Sequence, residues 1–418
     1  MIVVQFLFSI IVVLILVSRK VNIGLAMVVG GLILGLLTGL NVMDIGKVAF
    51  TSLLDPVAVN LALTIMMITI LGELMERYKL MDEMIESLEL MLKSAKITIM
   101  VAPALIGTLL VTGGALMSCP VVNNLGDRLD ISNDRRASVN LIFRHAMYFI
   151  FPFGPTLVLA AQLAEVNVRD LILIQMPVAI GMYVLGYFLY LKKSMESNKN
   201  KDSIDIDLKQ VIQSFTISSA PIWVSFSGVL FFNMAFYYSL GIGILTALLI
   251  HYGKGLKKAH SIVDVSLYKL IYQGIKPKMV VAVLGIMFFK NIVNSTNGLH
   301  VFLKNLVDSG LPIELIIIVA CALISYPLAS TQPSVAILYP MILPLAPTYE
   351  LRLLYAMFIY VSAFVFYYIS PLHMCQVLTL EYFDVRLKSL YKNYALLLPA
   401  VYIIMVVVYV IGLRIYTI

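Results

Sequence analysis

The chain has 418 residues, 61% of them apolar and 13% charged, with a mean hydropathy of +0.96. Soluble domains average about 45–50% apolar and about 25% charged residues, so this composition excludes a soluble globule and implies a polytopic membrane protein. Thirty Lys and Arg against 23 Asp and Glu give a net charge of +7, but cytoplasmic loops collect basic residues whatever the function, so the excess is a question of topology before it suggests a nucleic-acid partner.

The first apolar segment, 2–18, has no basic stretch before it and no small-x-small cleavage site after it; Arg19 and Lys20 follow it. It reads as a retained first span and not as a signal peptide. Spans of about 20 residues follow at 22–40 and 56–76. Over 80–92, Leu80, Met81, Met84, Ile85, Leu88, Met91 and Leu92 share one face and Asp82, Glu83, Glu86 and Glu89 the other, the pattern of an amphipathic helix in the interface. Two apolar pieces too short to cross alone come next, 98–111 and 115–126, split by Thr112-Gly113-Gly114. A span at 136–152 continues as 154–165 after a break at 152–156, and 169–190 completes the first set.

The second set follows a basic linker, 191–215. Spans fall at 216–237, 239–252 and 277–295, then a short amphipathic stretch at 299–308. The apolar pieces 312–328 and 335–346 are split at 330–334. A span at 350–369 continues as 371–382 after a break at 369–373, and 393–416 ends the chain. Short segments broken by Gly or Pro at corresponding places in two halves mark re-entrant hairpins. Cys119, Cys321 and Cys375 lie in apolar surroundings and read as small buried residues, not as a disulfide framework or zinc site.

The halves align. Thr112 to Pro120 lies 220 residues before Gln332 to Pro340, His145 to Pro155 lies 216 before Val361 to Pro371, and Asp55-Pro56 lies 221 before Lys276-Pro277. Near-constant spacing over three matches indicates an internal repeat. With the linker placed in the cytoplasm, counting spans outward puts 23 of the 30 basic residues on that side. Five spans per half is an odd number, so the second repeat enters inverted and both termini are external. The expected fold class is therefore an all-α polytopic membrane protein of two inverted five-span repeats: 1–190 (hairpin 98–126, broken span 136–165), the linker 191–215, and 216–418 (hairpin 312–346, broken span 350–382).

Backbone that leaves a helix inside a bilayer loses partners at several kcal/mol per group, so it persists only against protein, water or a bound solute. Each break offers helix N-termini for an anion and free carbonyls for a cation. The candidate substrate and ion residues are those at the four breaks: Thr112, Gly113 and Gly114, with Asn123 and Asn124 on the return limb; Gly154, Pro155 and Thr156; Ser330, Thr331, Gln332 and Ser334; and Ser370, Pro371 and His373. Hydroxyls and amides can coordinate Na⁺ or donate to a carboxylate.

Three residues are candidates for charge or proton coupling. Arg144 lies about 12 Å into its span at ~1.5 Å per residue, either as an anion-attracting charge or paired with a carboxylate such as Glu73 or Glu76. Lys290 either steers anions or snorkels outward. His373 follows the Pro of the second break by two residues and titrates near neutral pH, which suits proton coupling or contact with a carboxylate. His145, beside Arg144, reads as a satisfied core histidine, and Asp55 before Pro56 as an N-cap.

The inverted repeats with their hairpins and broken spans resemble the Ion Transporter superfamily, which includes divalent anion/sodium symporters and gluconate permeases. Gly114 to Pro120 (GALMSCP) and Ser370 to Phe383 (SPLHMCQVLTLEYF) are similar to the prokaryotic membrane family known as domain of unknown function 401. The resemblance implies a homodimer in the prokaryotic inner membrane, with scaffold spans and a transport domain that moves as an elevator. The superfamily's symporters carry Ser-Asn-Thr at both tips; here the tips differ, so sodium coupling and a dicarboxylate substrate do not carry over. The reading that results is a secondary transporter of a small organic anion, a carboxylate or sugar acid, coupled to H⁺ or Na⁺, with no other cofactor and no metal site. Cation/proton antiport and oxyanion transport are alternatives. A membrane-embedded enzyme is the remote one, since no zinc motif, nucleophile elbow or paired intramembrane aspartates are present.

Overall fold

The computed structural model describes residues 2–92, 94–108, 114–194, 207–232, 234–257, 267–296, 305 and 308–416. Thr112 and Gly113 of the first tip, the middle of the linker and most of the stretch 299–308 lie outside the described residues. The first half contains α1 (Ile2–Ser18), α2 (Ile23–Leu37), α3 (Val42–Leu54), α4 (Pro56–Arg77), α5 (Leu80–Met91), α6 (Ala95–Thr108), α7 (Gly114–Arg128), α8 (Asn133–Ala146) with a 3₁₀ turn at Met147–Phe149, α9 (Pro155–Ala164) and α10 (Val168–Gly186). The second contains α11 (Leu208–Leu230), α12 (Phe236–Lys257), α13 (Leu267–Gly274), α14 (Pro277–Ser295), α15 (Ile313–Leu328), α16 (Gln332–Ile342), α17 (Tyr349–Tyr368), α18 (Met374–Phe383) and α19 (Leu387–Tyr416). No strand occurs among the described residues, and the protein is an all-α polytopic membrane protein.

Among the described residues, six helices are long and apolar enough to cross a bilayer: α4, α10, α12, α14, α17 and α19. The segments predicted as spans at 2–18 and 22–40 form helices of only 17 and 15 residues, about 26 and 23 Å long at ~1.5 Å per residue, short of the ~30 Å hydrocarbon core. Asn22 starts α2 by accepting from Gly24 N, and Thr38 closes it. The short helices α3 and α13 have no counterpart among the predicted elements. α3 is announced by Asn41, whose side chain accepts from Asp44 N at 2.8 Å. Asp55 caps α4 as its place before Pro56 predicts, accepting from Val57 N at 2.9 Å. α5 buries Leu80, Met81, Met84 and Leu88 and exposes Asp82 and Glu86, as its pattern predicts. Its apolar face packs on α11 and α6.

The packing recurs with the halves exchanged. α2 lies along α14 as α12 lies along α4; α9 packs on α16 as α18 packs on α7; α6 packs on α7 and α8 as α15 packs on α16 and α17. The α2–α14 crossing brings backbones into direct contact: a Cβ on Gly24 would overlap the Val281 carbonyl, and one on Gly285 would overlap that of Gly24. Small residues allow such an approach where lipid offers no hydrophobic drive to helix pairing. Around the outside, Phe231 (78% exposed), Leu249 (65%), Leu396 (64%) and Ile403 (60%) face outward, an apolar surface that suits lipid and not water. α8, α9, α16 and α17 form the buried centre, which His373 and Gln376 at the second break reach from one side.

Because both glycines of the crossing touch backbone, Gly285→Ala is expected to cost about 1–3 kcal/mol, seen as a lower thermal unfolding midpoint in detergent, and Gly285→Leu to eliminate monodisperse folded protein. Unchanged midpoints would show that α2 and α14 are not held at this distance.

Candidate functional site

Each central break starts from proline chemistry. The carbonyl of Tyr148 would bond the N–H of residue 152 in a continuous helix, but Pro152 has none. Tyr360, from the other half, donates its hydroxyl to that carbonyl at 3.0 Å. In the second break three side chains serve three successive carbonyls: His373 Nδ1 faces Tyr368 O at 3.5 Å, Tyr391 OH donates to Ile369 O at 2.6 Å, and Gln376 Nε2 donates to Ser370 O at 3.2 Å. The breaks are thus held open by side chains that replace the missing helical donors.

The carbonyl side is satisfied; the N–H side is not served in the same way. α2, α3, α4, α10, α11 and α17 all have side-chain caps. α9, α16 and α18, which start at the breaks, have none. Of the uncapped helices, α14 and α15 follow exposed Lys276 and Pro312, whereas α16 and α18 follow buried Thr331 and His373, with Leu372 and Met374 exposed beside the α18 start. Pro155 at the start of α9 and Gln332 at the start of α16 border one cavity of about 200 Å³, together with Asn22 and Lys278. Two helix starts, whose ends carry partial positive charge, and the basic residue Lys278 border this space.

Tyr148 connects this cavity to a second polar cluster. Its hydroxyl lies 3.3 Å from Thr156 Oγ1 at the start of α9 and 3.0 Å from Thr331 Oγ1 before α16, and its ring stacks on Tyr367 at 6.1 Å. Tyr367 OH lies 2.7 Å from His373 Nε2 and 3.3 Å from His145 Nε2. The two imidazoles meet edge to face at 4.9 Å. Arg144 hydrogen-bonds Cys375, which lies beside them. A ring nitrogen of each histidine and Cys375 Sγ fall within 4.8 Å of one another, close enough to share a metal ion. Tyr367 already bridges the imidazoles, and the Arg144 guanidinium on the sulfur repels a cation, so the set does not favour one.

The structure therefore brings Thr156, Pro155, Thr331, Gln332, His373 and Arg144 into one region and separates other candidates from it. Asn123 Oδ1 accepts from Arg136 at 2.7 Å, and Asn124 is exposed, both well along α7 from its start at Gly114. Ser334 ties α16 to α15 through Ser325 at 2.7 Å. Ser370 Oγ accepts from Leu372 N at 3.2 Å within its own turn, where Pro371 is exposed. Ser330 is half-buried in the turn before Thr331, and Gly154 sits in the turn that leads into α9. Lys290 pairs with Glu165 at 3.4 Å, which Arg352 also holds at 3.1 Å. Glu73 is taken by Arg77 and Lys276, so it is not the partner of Arg144. Sequence reasoning missed Tyr148, Tyr360, Tyr367, Gln376 and Lys278, and placed His145 outside the site. Nothing in their spacing distinguishes these tyrosines from packing residues; the local signal was a Pro four residues after Tyr148, which leaves a carbonyl in need of a donor.

The sequence profile of the family described as "Protein of unknown function (DUF401)" matches residues 1–413. The chain belongs to the DUF401 family. No curated protein matches this DUF401 chain. Its fold resembles that of the YdaH transporter of Alcanivorax borkumensis, whose crystal structure superposes with a TM-score of 0.59 over 90% of each chain at 14% identity. At that identity the likeness carries the fold alone.

Tyr148→Phe removes the hydroxyl that joins the start of α9 to the turn before α16. It is expected to destabilise the protein by about 1 kcal/mol, measured by thermal unfolding in detergent, with Tyr382→Phe at an exposed tyrosine as a control. A loss no larger than that of a surface hydroxyl would show that the Tyr148 bridge does not hold the two elements.

Proposed function

We propose that the protein is a secondary transporter of a small organic anion, a carboxylate or sugar acid, with the anion held where the starts of α9 and α16 face the 200 Å³ cavity. The single observation behind this reading is the meeting of two uncapped helix N-termini, one from each half, with Lys278 at one cavity. The recurrence of helix pairings with the halves exchanged supports two inverted repeats, 1–190 and 216–418, joined by the linker 191–215. The short limbs α15 and α16, of 16 and 11 residues, pack on each other and support a re-entrant hairpin; α6 and α7 are its counterpart. In this scheme α2, α4, α12 and α14 form the scaffold, and the hairpins and broken spans move against it as an elevator. The fold-level likeness to a transporter supports the transport reading.

Coupling is assigned to a proton. The cluster at His373 contains two imidazoles and a tyrosine hydroxyl, groups able to accept a proton and pass it on. No carboxylate lies at the described break residues 152–156, 330–334 and 369–373, which argues against cation/proton antiport. Placement in the inner membrane as a homodimer with external termini completes the proposal.

In reconstituted vesicles with a proton gradient, uptake of the cognate anion is expected to fall at least about tenfold in Gln332→Ala and in His373→Ala, since removing a hydrogen bond to a charged group is worth about 1.5–3 kcal/mol. The cognate anion is identified by a thermal-shift screen of carboxylates, sugar acids and oxyanions with and without Na⁺, because specific binding raises apparent stability by mass action. Wild-type-like transport in both variants would remove the site from these breaks.

A further inference from the structure

Resting on the proton-coupled reading, we infer that the coupling proton is not carried by His373 alone but is shared by His145 and His373 through the Tyr367 hydroxyl, and that this pair holds one proton and no more. The cluster has fewer hydrogens than acceptors. A neutral imidazole has one N–H. His145 Nδ1 lies 2.7 Å from Leu141 O, and His373 Nδ1 faces Tyr368 O at 3.5 Å. A carbonyl only accepts, so each Nδ1 is the donor, and in the neutral state each Nε2 is a bare acceptor. Both bare nitrogens point at one hydroxyl that has one hydrogen.

Tyr367 donates to the nearer Nε2, that of His373, and its oxygen then faces the lone pair of His145 Nε2 at 3.3 Å. One added proton resolves this contact. Placed on His145 Nε2 it is donated to the Tyr367 oxygen, which still donates to His373. If both hydrogens shift along the same line, the charge passes to His373 with no atom moving far. A second proton would put two imidazolium rings 4.9 Å apart in a buried site beside Arg144, where like charges are poorly screened.

The titratable and charged groups that face the pair are Arg144 and Tyr148 from α8 and its turn, Tyr360 and Tyr368 from α17, Cys375 from α18, Cys119 from α7 beside Arg144, and Tyr394 from α19 against Tyr368. None is a carboxylate, so no fixed negative charge offsets a second proton. His145 comes from the first half and His373 from the second. The shared proton therefore bonds the two broken spans to each other, and its loss leaves one acceptor facing another across that contact.

The chain has five histidines, few enough for ¹⁵N-histidine NMR of the full-length protein in lipid nanodiscs, with His145→Gln and His373→Gln spectra to assign the signals. The wild-type Nε2 signals of both residues should move together through one step that binds one proton in total. In Tyr367→Phe they should separate, with a midpoint displaced by more than about one pH unit, the mark of lost coupling between titrating groups. Independent wild-type midpoints, or two protons bound between them, overturn the inference whether or not the variant folds. So does retention of one equivalent of Zn²⁺ by the wild type that Cys375→Ser abolishes, which would make the cluster a metal site. The titration needs no substrate. A shared step in a protein that transports no anion overturns the transport reading alone, and independent steps in a protein that transports overturn the shared pair alone.

Discussion

The structure depends on what happens to backbone hydrogen-bonding groups where helices stop in apolar surroundings. Neither lipid nor an apolar core solvates a free carbonyl or N–H, and each one left alone costs several kcal/mol. The two central breaks answer this on the carbonyl side with side chains: Tyr360 for Tyr148 O, and His373, Tyr391 and Gln376 for residues 368–370. Two of these four donors, Tyr360 and Tyr391, belong to other turns or helices than the break they serve, so the breaks exist only in the folded bundle. On the N–H side the starts of α9, α16 and α18 have no side-chain cap. This asymmetry leaves the positive helix ends on which the proposed anion site rests.

The same tyrosines that keep the breaks open connect their chemistry. Tyr360 supports the turn that presents Tyr148; Tyr148 joins the two helix starts at Thr156 and Thr331 and stacks on Tyr367; Tyr367 bridges the histidines. The cavity that faces Gln332 and the imidazole pair are thus linked through a short chain of hydroxyls and rings. In the proposed scheme a change of protonation at His145 and His373 alters a contact between the two broken spans, the first of which presents the start of α9. Lys290, Glu165 and Arg352 hold α9, α14 and α17 together at a different place, a structural role for a buried cation that its depth in the span had left open.

The close crossing of α2 and α14 through Gly24 and Gly285 gives the surrounding helices a rigid frame. Glycine there serves distance and not flexibility: no side chain of any size fits between those backbones. The outward faces of α11, α12 and α19 are apolar without such small-residue contacts, in keeping with a lipid boundary.

Much of this was legible in the sequence. Pro and Gly mark the breaks because proline lacks an N–H whatever surrounds it, Asp55 before Pro56 marks the start of α4, and the 3.6-residue pattern over 80–92 marks α5. These are local rules, fixed by covalent chemistry and by neighbours within a turn or two. The lengths of α1 and α2 and the existence of α3 were less legible, since apolar composition alone does not mark where a helix ends. The partners of the buried polar groups were not legible at all. Arg144 and Glu73 were open to pairing by depth and charge, yet Glu73 is taken by Lys276, and Arg144 lies by Cys375. His145 read as an ordinary core residue because His373 is 228 positions away. The sequence by itself determined that this is a membrane-embedded bundle of helices interrupted at 152–156, 330–334 and 369–373; only the tertiary structure decided which side chains meet there, because hydrogen-bond partners across a bundle are set by helix crossings that no local pattern encodes.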